Sequence, residues 1–249
     1  MKNLFTILTT LAFLNSIQAQ IVITTSGDTY LVNFTDFDGS GFDPAPSDGQ
    51  LDSDTWSVTG MSDGDLDFGG TATTGDLARG TSTGFETVSG LYAASIFGDQ
   101  ALMVQPADDD FTPGTIILKI ENSTGAEITQ LDAEYSIYQL NDKNSSSSFN
   151  FSYSPDNVSY TDIPALDYAT SETADFSIFS EFKSTSLTGL SIAAGDYFYI
   201  RWKSDDVSGT GDRDEIALDN IAITGYAGAP EIVVSFTAPG ETDDESFGT

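Results

Sequence analysis

The sequence predicts an all-β fold, a two-sheet antiparallel sandwich of jelly-roll type, and three observations carry that reading. Apolar residues recur with period two over most of the chain, turn signals rich in Gly and Asp interrupt them at short intervals, and helical periodicity is scarce. The alternation runs through Tyr30, Val32 and Phe34, then Leu131, Ala133, Tyr135 and Ile137. It returns in Phe149, Phe151 and Tyr153, and again in Phe198, Ile200 and Trp202. Each set is interleaved with residues destined for the opposite side of its strand. Thr115 to Ile120 and Ile216 to Ile223 are apolar on both sides and suit central strands. Asp38 to Gly41, Ser62 to Asp65, Gly69-Gly70 and Ser208 to Gly211 read as turns, and Ser145 to Ser148 as a loop tip. One stretch competes with the β pattern: between Ser171 and Phe182 the rings Phe176, Phe179 and Phe182 recur every third residue, the spacing of a helical turn.

Composition bounds the chemistry. The 249 residues include no cysteine and no histidine. Disulfides, zinc–thiolate sites and thiol catalysis are excluded, and so are Ser-His-Asp and Cys-His constellations. The chain carries 8 basic against 39 acidic residues, a formal net charge of −31. Binding nucleic acid through phosphates requires Lys and Arg to displace counterions, so this domain is expected to bind none, and anionic membrane surfaces are disfavoured likewise. With 39% hydrophobic and 12% aromatic residues the chain nonetheless has the material for a core.

Residues 1–19 read as a secretory signal peptide: Lys2, an apolar run from Leu4 to Leu14, and the small residue Ala19 before Gln20. The run is too short to span a bilayer, so no membrane insertion is expected and the protein is predicted to be secreted or held at a cell surface. Without Lys2 the mature chain has 7 basic residues against 39 acidic ones, a net of −32. Residues 28–226 are expected to form the sandwich domain. Residues 227–249, beginning near Ala229-Pro230, read as a linker or the start of a further module of a longer chain.

The two ends of the domain carry a resemblance. The opening runs Phe34-Thr35-Asp36-Phe37-Asp38-Gly39 and leads to Asp54-Thr55-Trp56, and the closing strand contains Ala217-Leu218-Asp219-Asn220-Ile221. This resembles extracellular jelly-roll domains of the concanavalin A-like and MAM-like kind, and calcium-containing carbohydrate-binding modules. With Gly69-Gly70, Gly75 to Gly80, Gln105-Pro106 and Phe111 to Gly114, residues 30–226 are similar to a domain found near the N-terminus of large secreted bacterial multidomain proteins. Such domains sometimes precede phosphodiesterase or nuclease modules. The resemblance implies a polysaccharide or surface glycan as partner and a structural calcium where the first and last strands meet. The matching ligands are Asp36 or Asp38 with Asp219.

The residues themselves agree in part. Read by simple alternation, Asp219 shares a face with Ala217, Ile221 and Ile223 and points inward. A buried carboxylate must be paired or coordinated, and calcium suits an all-oxygen set. A partner in Arg213 or Arg201, or backbone hydrogen bonds, would also satisfy it. A second ion loop is suggested by Asp206, Ser208, Thr210 and Gly211, but position twelve is Ala217 rather than Glu. Tyr197, Tyr199 and Arg201 lie opposite the apolar Phe198, Ile200 and Trp202, and so form the candidate sugar-binding surface, with cross-strand packing beneath a loop as the alternative. Arg79 is expected to meet Asp76, Glu86 or an anionic ligand, and Trp56 to pack in the core. The Glu-x-Asp-x-x-Glu run of sandwich glucanases is missing. Asp214, Glu215 and Asp219 only approximate it, so a non-catalytic module is expected, or a structural and adhesive domain.

Overall fold

The computed structural model describes residues 21–228. The segments expected as signal peptide and as terminal linker or further module therefore lie outside the described residues, apart from Ala227 and Gly228. Sixteen strands follow in chain order. The first eight are β1 (Ile21–Ile23), β2 (Thr29–Val32), β3 (Phe42–Asp43), β4 (Leu51–Asp52), β5 (Trp56–Thr59), β6 (Thr81–Ser82), β7 (Gly90–Ile96) and β8 (Asp99–Gln105). Then come β9 (Gly114–Asn122), β10 (Ile128–Asn141), β11 (Ser146–Ser154), β12 (Thr161–Asp162), β13 (Tyr168–Ala169), β14 (Ser177–Ile192), β15 (Tyr197–Ser208) and β16 (Glu215–Ala227). Helix is limited to two single turns, Gly75–Leu77 and Pro164–Leu166.

Fourteen of the strands form two sheets of seven, packed face to face as a jelly-roll sandwich, and β3 and β4 pair as a small third sheet. The first runs β1-β9-β15-β11-β12, with β13 on β11 and β5 on β9; the second runs β14-β10-β16-β8-β7-β6, with β2 on β16. Long pairs are antiparallel, as expected. Parallel pairing is confined to the short strands, β1 with β9, β3 with β4 and β6 with β7. Because β1 joins the first sheet, the folded unit begins upstream of the expected residue 28. The two doubly apolar runs are β9 and β16, each flanked by strands on both sides.

The core lies where the inner faces meet. Trp202, Tyr135 and Phe151 interlock there: Trp202 meets Tyr135 edge-on at 5.4 Å and Phe151 at 5.9 Å. Trp56 is fully buried against Phe34, as expected. Burying each such side chain contributes about 1.5–3 kcal/mol.

Four local expectations fail, each for a physical reason. Ser171 to Phe182 is not helical: from Ser177 the chain is the edge strand β14, paired along β10, and the three-residue ring spacing is coincidental. Ser145 to Ser148 are buried, and from Ser146 they open β11; the hydroxyls of Ser145, Ser146 and Ser148 find backbone acceptors, such as the Thr170 carbonyl at 2.6 Å from Ser146. Asp205 and Asp206 belong to β15, so the suggested ion loop does not form. In β16 the pairing with β10 slips between Glu134 and Ser136, and Asn220 opposite the slip has φ 51°. This bulge reverses the alternation. Ile221 and Ile223 point into the core, whereas Ala217 and Asp219 lie on the outer side of the second sheet.

Candidate functional site: the outer faces of the two sheets

The outer face of the first sheet is built on the odd-numbered residues of β15. Tyr197, Tyr199, Arg201 and Lys203 alternate with the buried Phe198, Ile200 and Trp202. Across the ladder Tyr199 lies opposite Lys119 of β9, and Arg201 opposite Ser152 of β11. All three sequence-predicted ligand residues thus share one surface. Two further rings join them from loops. Phe68 follows the turn after β5 and packs on Tyr199 at 5.9 Å. The Lys119 ammonium sits 4.8 Å from the Phe68 ring centre and 5.2 Å from that of Tyr197. Tyr160 covers Arg201, with the guanidinium carbon 3.7 Å from its ring centre. Each stack is worth about 0.5–1 kcal/mol at an exposed site.

The loop carrying Tyr160 is set by Asp156. Its Oδ1 accepts the Val158 and Ser159 amides at 2.9 and 2.8 Å, and the Ser154 hydroxyl at 2.8 Å. The Ser159 amide, with these other donors, holds the Asp156 carboxyl below its usual range. Burial pushes the Tyr160 phenol up to about 12, against the pull of Arg201. Burial and Tyr197 raise Tyr199 as well. Both phenols are therefore neutral near pH 7; Tyr160 donates its proton to Asn157 Oδ1 at 2.5 Å. Arg201 is oriented by Nε donating to Ser152 Oγ at 3.0 Å, and its Nη2 lies 4.0 Å from Asp162. Cross-strand packing beneath a loop is thus present too, at Tyr199 and Arg201, while Tyr197 stays 39% exposed.

The outer face of the second sheet differs. A small second core of Tyr92, Met103, Leu140, Ala217 and their neighbours is closed over by surrounding side chains. Above it stand exposed phenylalanines: Phe97 and Phe176 are each 72% exposed, and Phe182 64%. Phe97 meets Tyr138 at 6.2 Å, and Phe85 meets Phe176 at 6.2 Å. Phe85, Phe97 and Phe176 all have left-handed backbones, φ 63°, 53° and 61°. A bulky side chain in that region costs about 1–2 kcal/mol.

Three carboxylates raised by burial lie in or beside β16, all without solvent exposure: Asp219 and Glu215 on this face, and Asp214 on the inner side with Gln139, the partner of the core residue Ile216. Asp219 accepts from the Asn220 amide at 2.7 Å and from Asn220 Nδ2 at 2.8 Å. Burial pushes it up to about 6, with the nearby Asp99 adding to the rise and the Phe34 amide opposing it. Burial and the charge of Asp142 push Glu215 up to about 8, so it is protonated near pH 7. Asp214, raised by burial to about 6, accepts from Gln139 Nε2 at 2.6 Å and from the Lys143 amide at 2.8 Å. None of the three faces an open cleft as a glycosidase pair would.

The residues expected to hold calcium stand in different settings. Asp36 is exposed. Asp38 Oδ1 accepts the Ser40 amide at 2.9 Å, and its carboxyl fills the space where Gly49, at φ 87°, has no Cβ. Asp219 is satisfied by its own neighbours. Among the described residues no group of three or more carboxylates could hold a metal ion. Neither Arg213 nor Arg201 serves Asp219, since Arg213 binds Asp108 and Asp206, both at 2.9 Å. Arg79 pairs with Asp76, one of the expected outcomes. A cleft of about 440 Å³ is lined by Asp63, Asp65, Thr71 and Thr74 among others, with no aromatic ring to stack on a sugar. No helix among the described residues is long and apolar enough to cross a membrane.

Sequence reasoning missed Lys119, Phe68 and Tyr160. The alternation in β9 could have placed Lys119 outward, but the loop rings carry no periodic signal.

No protein-family model matches the chain, and no curated protein matches it. Solved structures match remotely. The CBM22-1 xylan-binding domain from Paenibacillus barcinonensis Xyn10C is 10% identical, with a TM-score of 0.41 over 83% of this chain and 100% of that one. The K1 cleaved adhesin domain of Lys-gingipain from Porphyromonas gingivalis W83 is 13% identical, with a TM-score of 0.41 over 81% and 100%. A CBM28 module specific for non-crystalline cellulose is 10% identical, with a TM-score of 0.36 over 55% and 80%. These likenesses are too remote to carry an argument about the chain, and the sandwich rests on its own strand pairing.

Proposed function

We propose that the protein is a non-catalytic, secreted glycan-binding module and that the outer face of the first sheet is its binding surface. One observation carries this: Tyr197, Tyr199, Phe68 and Tyr160 are gathered on a single sheet face around Lys119 and Arg201. Rings present apolar surface to the C–H faces of a sugar, while phenol and cation donors meet its oxygens. Secretion rests on the character of residues 1–19. Non-catalysis rests on the burial of the raised carboxylates, which leaves no accessible acid–base pair among them. The test is a glycan array probed with the wild-type chain and with Tyr199→Ala. Binding that is lost in the variant supports the reading; no binding to any glycan overturns it.

A specific observation favours a second reading, a structural or adhesive domain working by protein contact. Phe85, Phe97 and Phe176 are exposed despite unfavourable backbone angles, as expected of a surface kept for what it touches. Self-association abolished by Phe97→Asn, with no glycan bound, would favour it.

A further inference from the structure

We propose that the glycan taken by the first sheet's outer face is anionic, a polysaccharide bearing carboxylates or sulfates. This rests on the reading of that face as a glycan site. It comes from how the chain spends its few cations. Seven basic residues lie in the described chain. Four are tied to carboxylates at hydrogen-bond distance: Arg79 to Asp76, Lys143 to Asp142, Lys183 to Glu181, and Arg213 to Asp108 and Asp206. Lys143 and Lys183 also donate to the carbonyls of Glu86 and Asp167. These four hold the fold.

The other three, Lys119, Arg201 and Lys203, share the outer face of the first sheet. Their carboxylate neighbours are on the exposed side of the sheet, and Glu121 lies two residues from Lys119 on the same face. Lys203 stands 3.7 Å from Asp205 and Arg201 4.0 Å from Asp162, in exposed pairs. Lys119 makes no ion pair among the described residues and is held between two rings. In a chain with so few basic residues, three of the seven described ones gather on this one face, beside acids of the same surface. Alternate residues of β15 put Tyr199, Arg201 and Lys203 in a row about 7 Å apart, with Lys119 beside its head. A polysaccharide lying along β15 would stack on the rings and set successive acidic groups against the cations. Asp205 ends the row, Glu121 lies opposite Tyr197 at its head, and Asp156 and Asp162 flank it. They repel a polyanion that strays from it and confine it to the cations, and they keep the affinity moderate and sensitive to salt.

The experiment is isothermal titration of the full mature chain with polygalacturonate, a sulfated galactan, neutral galactan and neutral xylan at physiological ionic strength. The expected result is binding of at least one acidic polymer ten or more times tighter than either neutral one. Polygalacturonate alone would identify carboxylate as the recognised group, the sulfated polymer alone would identify sulfate, and both together would identify a general polyanion. Lys119→Met keeps apolar contact with Phe68 and Tyr197 and removes only the charge. Combined with Lys203→Met it should cost tenfold or more in acidic-polymer affinity at an unchanged melting temperature, while Phe97→Asn on the other face costs nothing. Neutral polymers bound as tightly as acidic ones, or a double variant that binds as wild type, would overturn the anionic ligand and leave the glycan reading standing. No binding to any of the four polymers would overturn both.

Discussion

The two outer faces of this sandwich are opposites. The first sheet offers rings and loosely paired cations to solvent. The second hides its carboxylates, closes a small core over itself and leaves phenylalanines standing on strained backbone. In a chain with so many acids, the informative positions are those where charge is arranged against the average. On the first face that means cations in loose, exposed pairs, and on the second, carboxylates without solvent. Only the first arrangement leaves polar groups free to meet a ligand.

The largest effect that would sharpen this contrast comes from pH. Asp214, Glu215 and Asp219 are all raised above their unfolded values by burial. For a raised acid, stability is fully present below the unfolded pKa, near 4, and is lost as pH rises through the folded value. That loss runs through about 6 for Asp214 and Asp219 and about 8 for Glu215. Asp110 and Asp132 are lowered, despite burial, by donors such as Ser89 and Ser186, so their contribution disappears as pH falls below about 4. Stability should therefore peak near pH 4 and fall by pH 8.5 by on the order of 5 kcal/mol, roughly 10–20 °C in melting temperature. Glu215→Gln should flatten the upper part of that fall. A melting temperature rising from pH 5 to pH 8 would mean that these acids are solvated and that the second face is more open than described.

A smaller effect tests why the phenylalanines are there. Phe97-Gly98 is the two-residue loop between β7 and β8, with Ile96 paired to Asp99 and φ of 53° and 90° at the two loop positions. Both angles are left-handed, which favours Asn-Gly in such a hairpin. Phe97→Asn should stabilise the protein by about 1 kcal/mol, less whatever the contact with Tyr138 contributes, as read by thermal or urea unfolding. A loss of more than about 1 kcal/mol would show that Phe97 is held by packing rather than by what it presents.

The smallest expected effect concerns metal. Thermal unfolding in millimolar calcium and in chelator, at constant ionic strength, should give coincident curves. An ion bound only by the folded state would raise stability by about 2.7 kcal/mol at a hundredfold excess over Kd. A shift of that size, lost in Asp219→Ala, would return Asp36, Asp38 and Asp219 to a calcium site.

What was legible in the sequence follows the reach of its periodic signal. Phe149, Phe151 and Tyr153, and Phe198, Ile200 and Trp202, declare their faces because nothing interrupts the alternation, and Tyr197, Tyr199 and Arg201 are placed outward by the same rule. The rule fails at Asn220, where one left-handed residue reverses the phase and carries Asp219 from the expected core to the opposite side of the sheet. It fails again at β14, where Phe176, Phe179 and Phe182 imitate a helical period along an edge strand. Lys119, Phe68 and Tyr160 reach the candidate site by strand register and loop closure, and neither leaves a local pattern.

The most direct test of the central claim is an amide hydrogen-exchange footprint of the chain with and without the polysaccharide it binds best. The account predicts added protection along Tyr197 to Lys203 and at Lys119 and Tyr160, with Phe97, Phe176 and Phe182 unchanged. Protection concentrated on those phenylalanines, with β15 untouched, would contradict it and move the binding surface to the second sheet.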